Sequence, residues 1–214
     1  MDKVANRIDA AGEDLRDDEA RQKYLDRLIA EWQSVETAMR KAYFTLLLLA
    51  AAYALVRLKN VSELSLGPVK LSKVDPVRIF IPALMSYFTY QVAALFCCSA
   101  AFERVFYGIT SKFHPGLFKT DLDMLMMPSA NSILSPELPG WGGFGAGRDR
   151  MRAFIVVKNL VILALPFLLT ILAGIYSVLD SGSRGLVFAS LAVVVFFLGY
   201  AAVQIAHGVR LVDL

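Results

Sequence analysis

Four stretches of this 214-residue chain contain no Asp, Glu, Lys or Arg: 42–56, 79–102, 159–179 and 185–209. They total 85 residues, and the other 129 carry all 41 charged side chains. A water-soluble fold distributes charge along every surface element, so segregation this complete excludes a soluble enzyme, a secreted disulfide scaffold and a disordered tail. A bilayer demands the opposite pattern. Each crossing helix needs roughly 20 successive apolar residues and keeps its charges at the two ends.

The pattern predicts an all-α integral membrane protein with four transmembrane helices, at 42–57, 79–102, 153–179 and 185–207. The first is short and reaches across only if Lys41 and Arg57 extend outward at its ends. A buried or re-entrant helix is the other reading of that segment. Pro82 falls near the start of the second span, where a missing N–H matters least, whereas Pro166 is mid-span in the third. Lys158 belongs at the inner interface once the third crossing is taken to begin at Asn159.

Lys and Arg outside the spans set the orientation. With the N-terminus inside, 15 fall on the inner segments and 6 on the outer ones. The positive-inside rule then places both termini in the cytoplasm of a multi-pass protein of the cell inner membrane. Residues 1–41 are densely charged and lack the apolar run of a signal peptide, so the first span is expected to stay in the mature protein.

Outside the membrane, residues 1–41 read as a cytoplasmic amphipathic helix. Leu25, Leu28, Trp32, Val35, Met39 and Ala42 recur at alternating intervals of three and four, a heptad seam of two and a half repeats. So short a seam must pack on something, either a second copy of itself or the 103–152 segment; self-association through Leu25, Leu28, Trp32, Val35 and Met39 is the expectation. Residues 61–66 and 69–74 alternate polar and apolar around Gly67 and Pro68, the signal of a small extracytoplasmic β-hairpin within 58–78. An irregular loop along the bilayer is the alternative. The inner segment 103–152 starts as a continuation of the second span or an interfacial helix. It ends Gly-rich and basic, and 180–184 and 208–214 are an outer turn and a cytoplasmic tail.

Several motifs dissolve under their own physics. Gly140, Gly142 and Gly145 fit G-x-G-x-x-G, but proline-rich loop precedes them where a dinucleotide site needs a strand. Asp121 and Asp123 match D-x-D by spacing alone. Adjacent Cys97 and Cys98 staple nothing, and His114 and His207 are too few for a His-ligated metal centre. No Ser-His, paired-carboxylate, H-E-x-x-H or G-x-S-x-G constellation is present, so no enzymatic activity, metal or cofactor is expected. What survives is cationic. Arg148, Arg150 and Arg152 stand before the third span beside glycines whose backbone N–H groups are open, a combination suited to a phosphate-bearing ligand. Lipid-anchoring arginines after a hinge are the other reading. Within the spans, Ser86, Tyr90 and Cys97 share one face of the second helix, and Ser190 and Gln204 approximately share one of the fourth. Such faces either glue helices together or line a water-filled path. No intramembrane carboxylate is present for a proton- or sodium-coupled transporter.

In layout, the charged N-terminal helix, the four spans and the basic inner segment ending in Arg148, Arg150 and Arg152 resemble the small four-span channel effectors of bacterial antiphage defence systems. That resemblance implies a homo-oligomeric membrane pore, gated from the cytoplasm by an anionic nucleotide or oligonucleotide ligand or by a partner. Arg148, Arg150 and Arg152 are the expected ligand contacts, and Ser86, Tyr90, Cys97, Ser190 and Gln204 the expected pore lining. A non-conducting membrane scaffold or assembly subunit is the alternative.

Overall fold

The computed structural model describes the backbone of residues 17–57, 64–66, 69–71, 75–116, 148–180 and 184–212, and the side chains of 17–57, 79–116, 160–161, 163–179 and 185–206. The described chain is helical: α1 (Asp18–Arg57), α2 (Asp75–Phe113), α3 (Arg148–Asp180) and α4 (Arg184–Val212). Between α1 and α2 the strands β1 (Leu64–Leu66) and β2 (Val69–Leu71) pair antiparallel, Ser65 opposite Lys70. Residues 1–16, the turn at Gly67 and Pro68, Asp121, Asp123 and the glycine-rich run ending at Gly147 lie outside the described residues.

Three helical segments are long and apolar enough to cross a membrane: Asp18–Arg57, Ile79–Phe113 and Gly185–Ala206. In α3 the apolar stretch Leu163–Leu179 is shorter among the residues whose side chains are described. The chain thus has the apolar helices of a membrane protein.

The start of α1 follows from its capping chemistry. Asp17 accepts the Glu19 N–H on its side chain at 3.3 Å and the Arg21 N–H on its carbonyl at 3.0 Å, satisfying donors that a helix start leaves open. Asp18 and Glu19 lie in the first turn and Arg57 in the last, each complementing the helix dipole. With no Pro or Gly between residues 18 and 57, α1 continues without a break from its charged half into its apolar half.

The chain divides into two compact units. One comprises 1–40, 95–159 and 205–214; the other comprises 41–94 and 160–204. In the first, Leu25, Leu28 and Trp32 from α1 pack with Phe106 and Ile109 from α2, flanked by Ile29, Phe102, Val105 and Phe113. The Trp32 and Phe106 rings lie 6.2 Å apart at 55°, and the Arg21 guanidinium sits 5.1 Å from the centre of the Phe113 ring. The heptad seam therefore finds its cover within the same chain. Of the residues expected to join copies, Leu25, Leu28 and Trp32 are enclosed by α2, Met39 is buried and Val35 is half-buried. The physical reason is that α2 does not stop at residue 102. It runs on to Phe113 and brings an apolar strip of its own to the seam.

In the second unit, Tyr53 of α1, Ile81 and Met85 of α2 and Ala173 of α3 form a core. The Tyr53 hydroxyl donates to the Ala173 carbonyl at 2.9 Å, and the Arg57 guanidinium lies 3.4 Å from the centre of the Tyr176 ring. Outward, the surface is strongly apolar: Phe44, Leu179, Phe188, Val195 and Phe196 are all more than 60% exposed. An open apolar groove of about 330 Å³ lies between α3 and α4, with Ile171, Gly174, Ile175, Val194 and Leu198 among its walls. Water is a poor solvent for a surface of this kind, and acyl chains are a good one.

Candidate functional site

The first unit buries a carboxylate beside the seam, at a position expected to be solvated. Glu36 is one helical turn beyond Trp32, and only 1% of it is exposed. Its Oε1 accepts the Trp32 indole N–H at 3.3 Å and the hydroxyl of Ser99 from α2. The same indole N–H reaches Ser99 Oγ at 2.9 Å, so Trp32, Glu36 and Ser99 form a closed three-membered contact. The other oxygen, Oε2, is fully buried and meets no hydrogen-bond partner among the described residues. Glu36 lies outside the charge-free segment 42–56, and its neighbour on α2, Glu103, outside 79–102. Burial pushes the Glu36 carboxyl above the ordinary carboxylate range, against the pull of Ser99, Trp32 and the Arg40 charge. Glu103 is raised as well, first by desolvation among the packed helices and then by the Glu36 charge, although part of its side chain reaches the surface.

The second unit holds polar side chains that bind helix to helix. The Thr89 Oγ1 of α2 stands 2.8 Å from Thr170 Oγ1 of α3, 2.9 Å from the Met85 carbonyl and 3.4 Å from that of Pro166. All three of Thr89, Thr170 and Pro166 are fully buried. Ser190 of α4 donates to the Ile79 carbonyl of α2 at 2.7 Å, one residue along from the carbonyl that Pro82 leaves without its helical N–H. Hydroxyls from neighbouring helices thus lie close to both prolines, Thr89 at the Pro166 carbonyl and Ser190 beside the carbonyl that Pro82 frees.

This accounts for most of the expected pore wall. Ser86 is fully buried and donates to its own helix at the Ala83 carbonyl, 2.7 Å away. Ser190 is buried against α2 in the bond just described. Tyr90 is half-buried, its ring 5.3 Å from that of Tyr200 and 5.9 Å from that of Phe197. The two faces assigned to a lumen thus meet each other through Ser190 and Tyr90 inside one chain. Cys97 and Gln204 are half-buried, in different units. Arg148, Arg150 and Arg152 fall in the opening turns of α3, so they begin the apolar helix itself; their side chains lie outside the described residues, as do those of Lys158 and His207. Among the described residues no group of three His, Cys, Asp or Glu assembles to hold a metal.

The sequence places Ser99, Thr89 and Thr170 among the polar side chains of the spans, as glue or as lumen, but sequence reasoning passed over Glu36. A signal for Glu36 was present: position 36 lies on the 3.6-residue stripe through Leu25, Leu28, Trp32, Met39, Tyr43 and Leu46, all of which are buried. Compared with known protein families, curated proteins and solved structures, the chain matches none.

Proposed function

We propose that the chain is a four-span inner-membrane protein, with both termini and the packed 18–40 helix in the cytoplasm and the β1–β2 pair outside. In this reading it assembles into a homo-oligomeric pore gated from the cytoplasmic side by an anionic ligand of nucleotide or oligonucleotide chemistry. One observation carries the reading: Tyr53, Thr89, Thr170 and Ser190 of the apolar unit spend their hydroxyls on contacts within the chain, while its outer surface is broadly apolar. A single copy then offers ions no polar route, and a water-filled path forms only between copies. Arg148, Arg150 and Arg152 are the proposed ligand contacts. Cations in the opening turns of a helix oppose its dipole and repel one another, and a phosphate group relieves both through charge-assisted hydrogen bonds. The layout shared with four-span antiphage channel effectors agrees with this reading.

The inward placement of Ser86 and Ser190 favours a second reading, a non-conducting membrane scaffold, because it removes two polar groups from any lumen between copies. Planar-bilayer recording separates the two. Purified protein with cyclic nucleotides or oligonucleotides on the inner side should conduct, and Arg148→Ala/Arg150→Ala/Arg152→Ala should abolish the ligand response. Silence under every trigger overturns the pore in favour of the scaffold.

A further inference from the structure

Glu36 presents an unsolved electrostatic problem in the first unit. A carboxylate has about four lone-pair sites, and this one is 1% exposed with both of its donors, Trp32 and Ser99, directed at Oε1. Oε2 is buried with nothing bonded to it among the described residues. A buried, half-solvated negative charge is among the costliest arrangements a fold can hold. The charged groups near it do little to remove the cost. Arg40 acts from α1, one turn further on; from α2, Glu103 adds a like charge, and Arg104, next in the chain, is half-buried.

Two species relieve such a site, a metal cation or a proton. A hard cation needs several oxygen ligands. Here the Ser99 hydroxyl already donates to Glu36 and accepts from Trp32, leaving Oε2 as the one open oxygen of the cluster. A proton needs one oxygen. We propose that Glu36 is a proton-binding site that controls the α1–α2 contact: it carries a proton on Oε2 when Trp32, Glu36 and Ser99 are packed together, and the contact loosens when that proton leaves. The reaction is a simple exchange, Glu36 carboxylate plus a proton from bulk water giving the neutral carboxyl. Burial around the unbonded Oε2 is what favours the protonated form, and Glu103 is itself raised by the Glu36 charge. The site stands whether or not copies of the chain conduct ions.

Trp32 is a built-in reporter, because its indole N–H touches both Glu36 and Ser99. Trp141 is the other tryptophan of the chain. Full-length protein carrying Trp141→Phe in lipid nanodiscs therefore shows Trp32 alone. Its emission should pass through one step between about pH 4 and 9, with the packed state at the acid end. Glu36→Gln, which mimics the neutral carboxyl, should abolish the step and hold the packed emission throughout. Ser99→Ala, which removes a hydrogen bond to the carboxylate, should keep the step and move its midpoint to higher pH. A flat titration in the Trp141→Phe protein, or a step that survives Glu36→Gln, overturns the proposal. Should Glu36→Gln fail to accumulate, a midpoint that Ser99→Ala leaves unmoved overturns it equally. An emission change at fixed pH on exchanging choline for sodium, lithium or calcium overturns it in favour of a cation site.

Discussion

Replacing Thr89 with valine keeps the side-chain volume and deletes one hydroxyl from the interior of the apolar unit. That hydroxyl bridges α2 and α3, lying 2.8 Å from Thr170 Oγ1 and 3.4 Å from the Pro166 carbonyl. Its third neighbour, the Met85 carbonyl at 2.9 Å, belongs to its own helix and contributes nothing between helices. Hydrogen bonds between membrane helices contribute about 0.6 kcal/mol on average and up to about 1.7. Full burial and a 2.8 Å distance argue for the upper half of that range, so Thr89→Val should cost about 1 kcal/mol. Thr170→Val should cost a similar amount, because each leaves the other hydroxyl without its partner across the interface. The double variant removes both, and its cost should fall short of the sum by about 0.6 to 1 kcal/mol. Reversible unfolding in mixed detergent micelles, followed by circular dichroism for all four chains, measures that difference. Strict additivity refutes the bridge. So does a double variant that unfolds more easily than the sum predicts.

Phe106→Ala removes a fully buried ring from the α1–α2 core and should destabilise the first unit by about 3 to 5 kcal/mol, read as faster amide exchange across 25–39. Trp32→Asp with Val35→Asp should open α1 to protease while leaving the detergent-solubilised mass on light scattering unchanged, since α2 of the same chain covers the seam; a shift to smaller species would show that copies share it. Arg57→Ala deletes a guanidinium 3.4 Å from the Tyr176 ring and should cost about 0.5 to 2 kcal/mol in the same micelle assay. The packed state holds the Glu36 carboxyl above its unfolded value, so it binds protons more tightly than the unfolded chain. The resulting stabilisation is complete below the unfolded pKa and declines as pH rises through the folded one. Detergent-unfolding midpoints measured across pH check the sign, and a rise towards alkaline pH that Glu36→Gln removes would contradict it.

The apolar parts of the helices were legible because a run without Asp, Glu, Lys or Arg is a local property that needs no knowledge of the partner, but α1 and α2 run well past those limits. The seam positions were legible for the same reason, since periodicity reports that a face is covered. Periodicity does not report what covers it, and α2 supplied the cover to Leu25, Leu28 and Trp32 that a second copy was expected to give. Glu36 escaped because a carboxylate beside a heptad position reads as solvated; one of its two hydrogen-bond donors, the Ser99 hydroxyl, lies 63 residues away. The serines show the same ambiguity from the other side. A polar face on an apolar helix serves equally as glue or as a lumen, and for Ser86 and Ser190 the deciding facts are the carbonyls of Ala83 and Ile79.

Beside the Thr89–Thr170 bridge between α2 and α3, two bonds of the apolar unit skip a place in the chain: Tyr53 of α1 reaches Ala173 of α3, and Ser190 of α4 reaches Ile79 of α2. A ribosome delivers these helices in order, at about 5 to 20 residues per second. When α2 leaves the translation machinery, the phenol of Tyr53 and the carbonyl of Ile79 still lack the atoms they will bond, which lie on helices not yet made. The polar contacts of Tyr53 and Thr89 therefore form only once α3 has emerged. The apolar unit closes late, when α4 arrives, and a nascent chain arrested before residue 190 lacks the contact that Ser190 makes to α2.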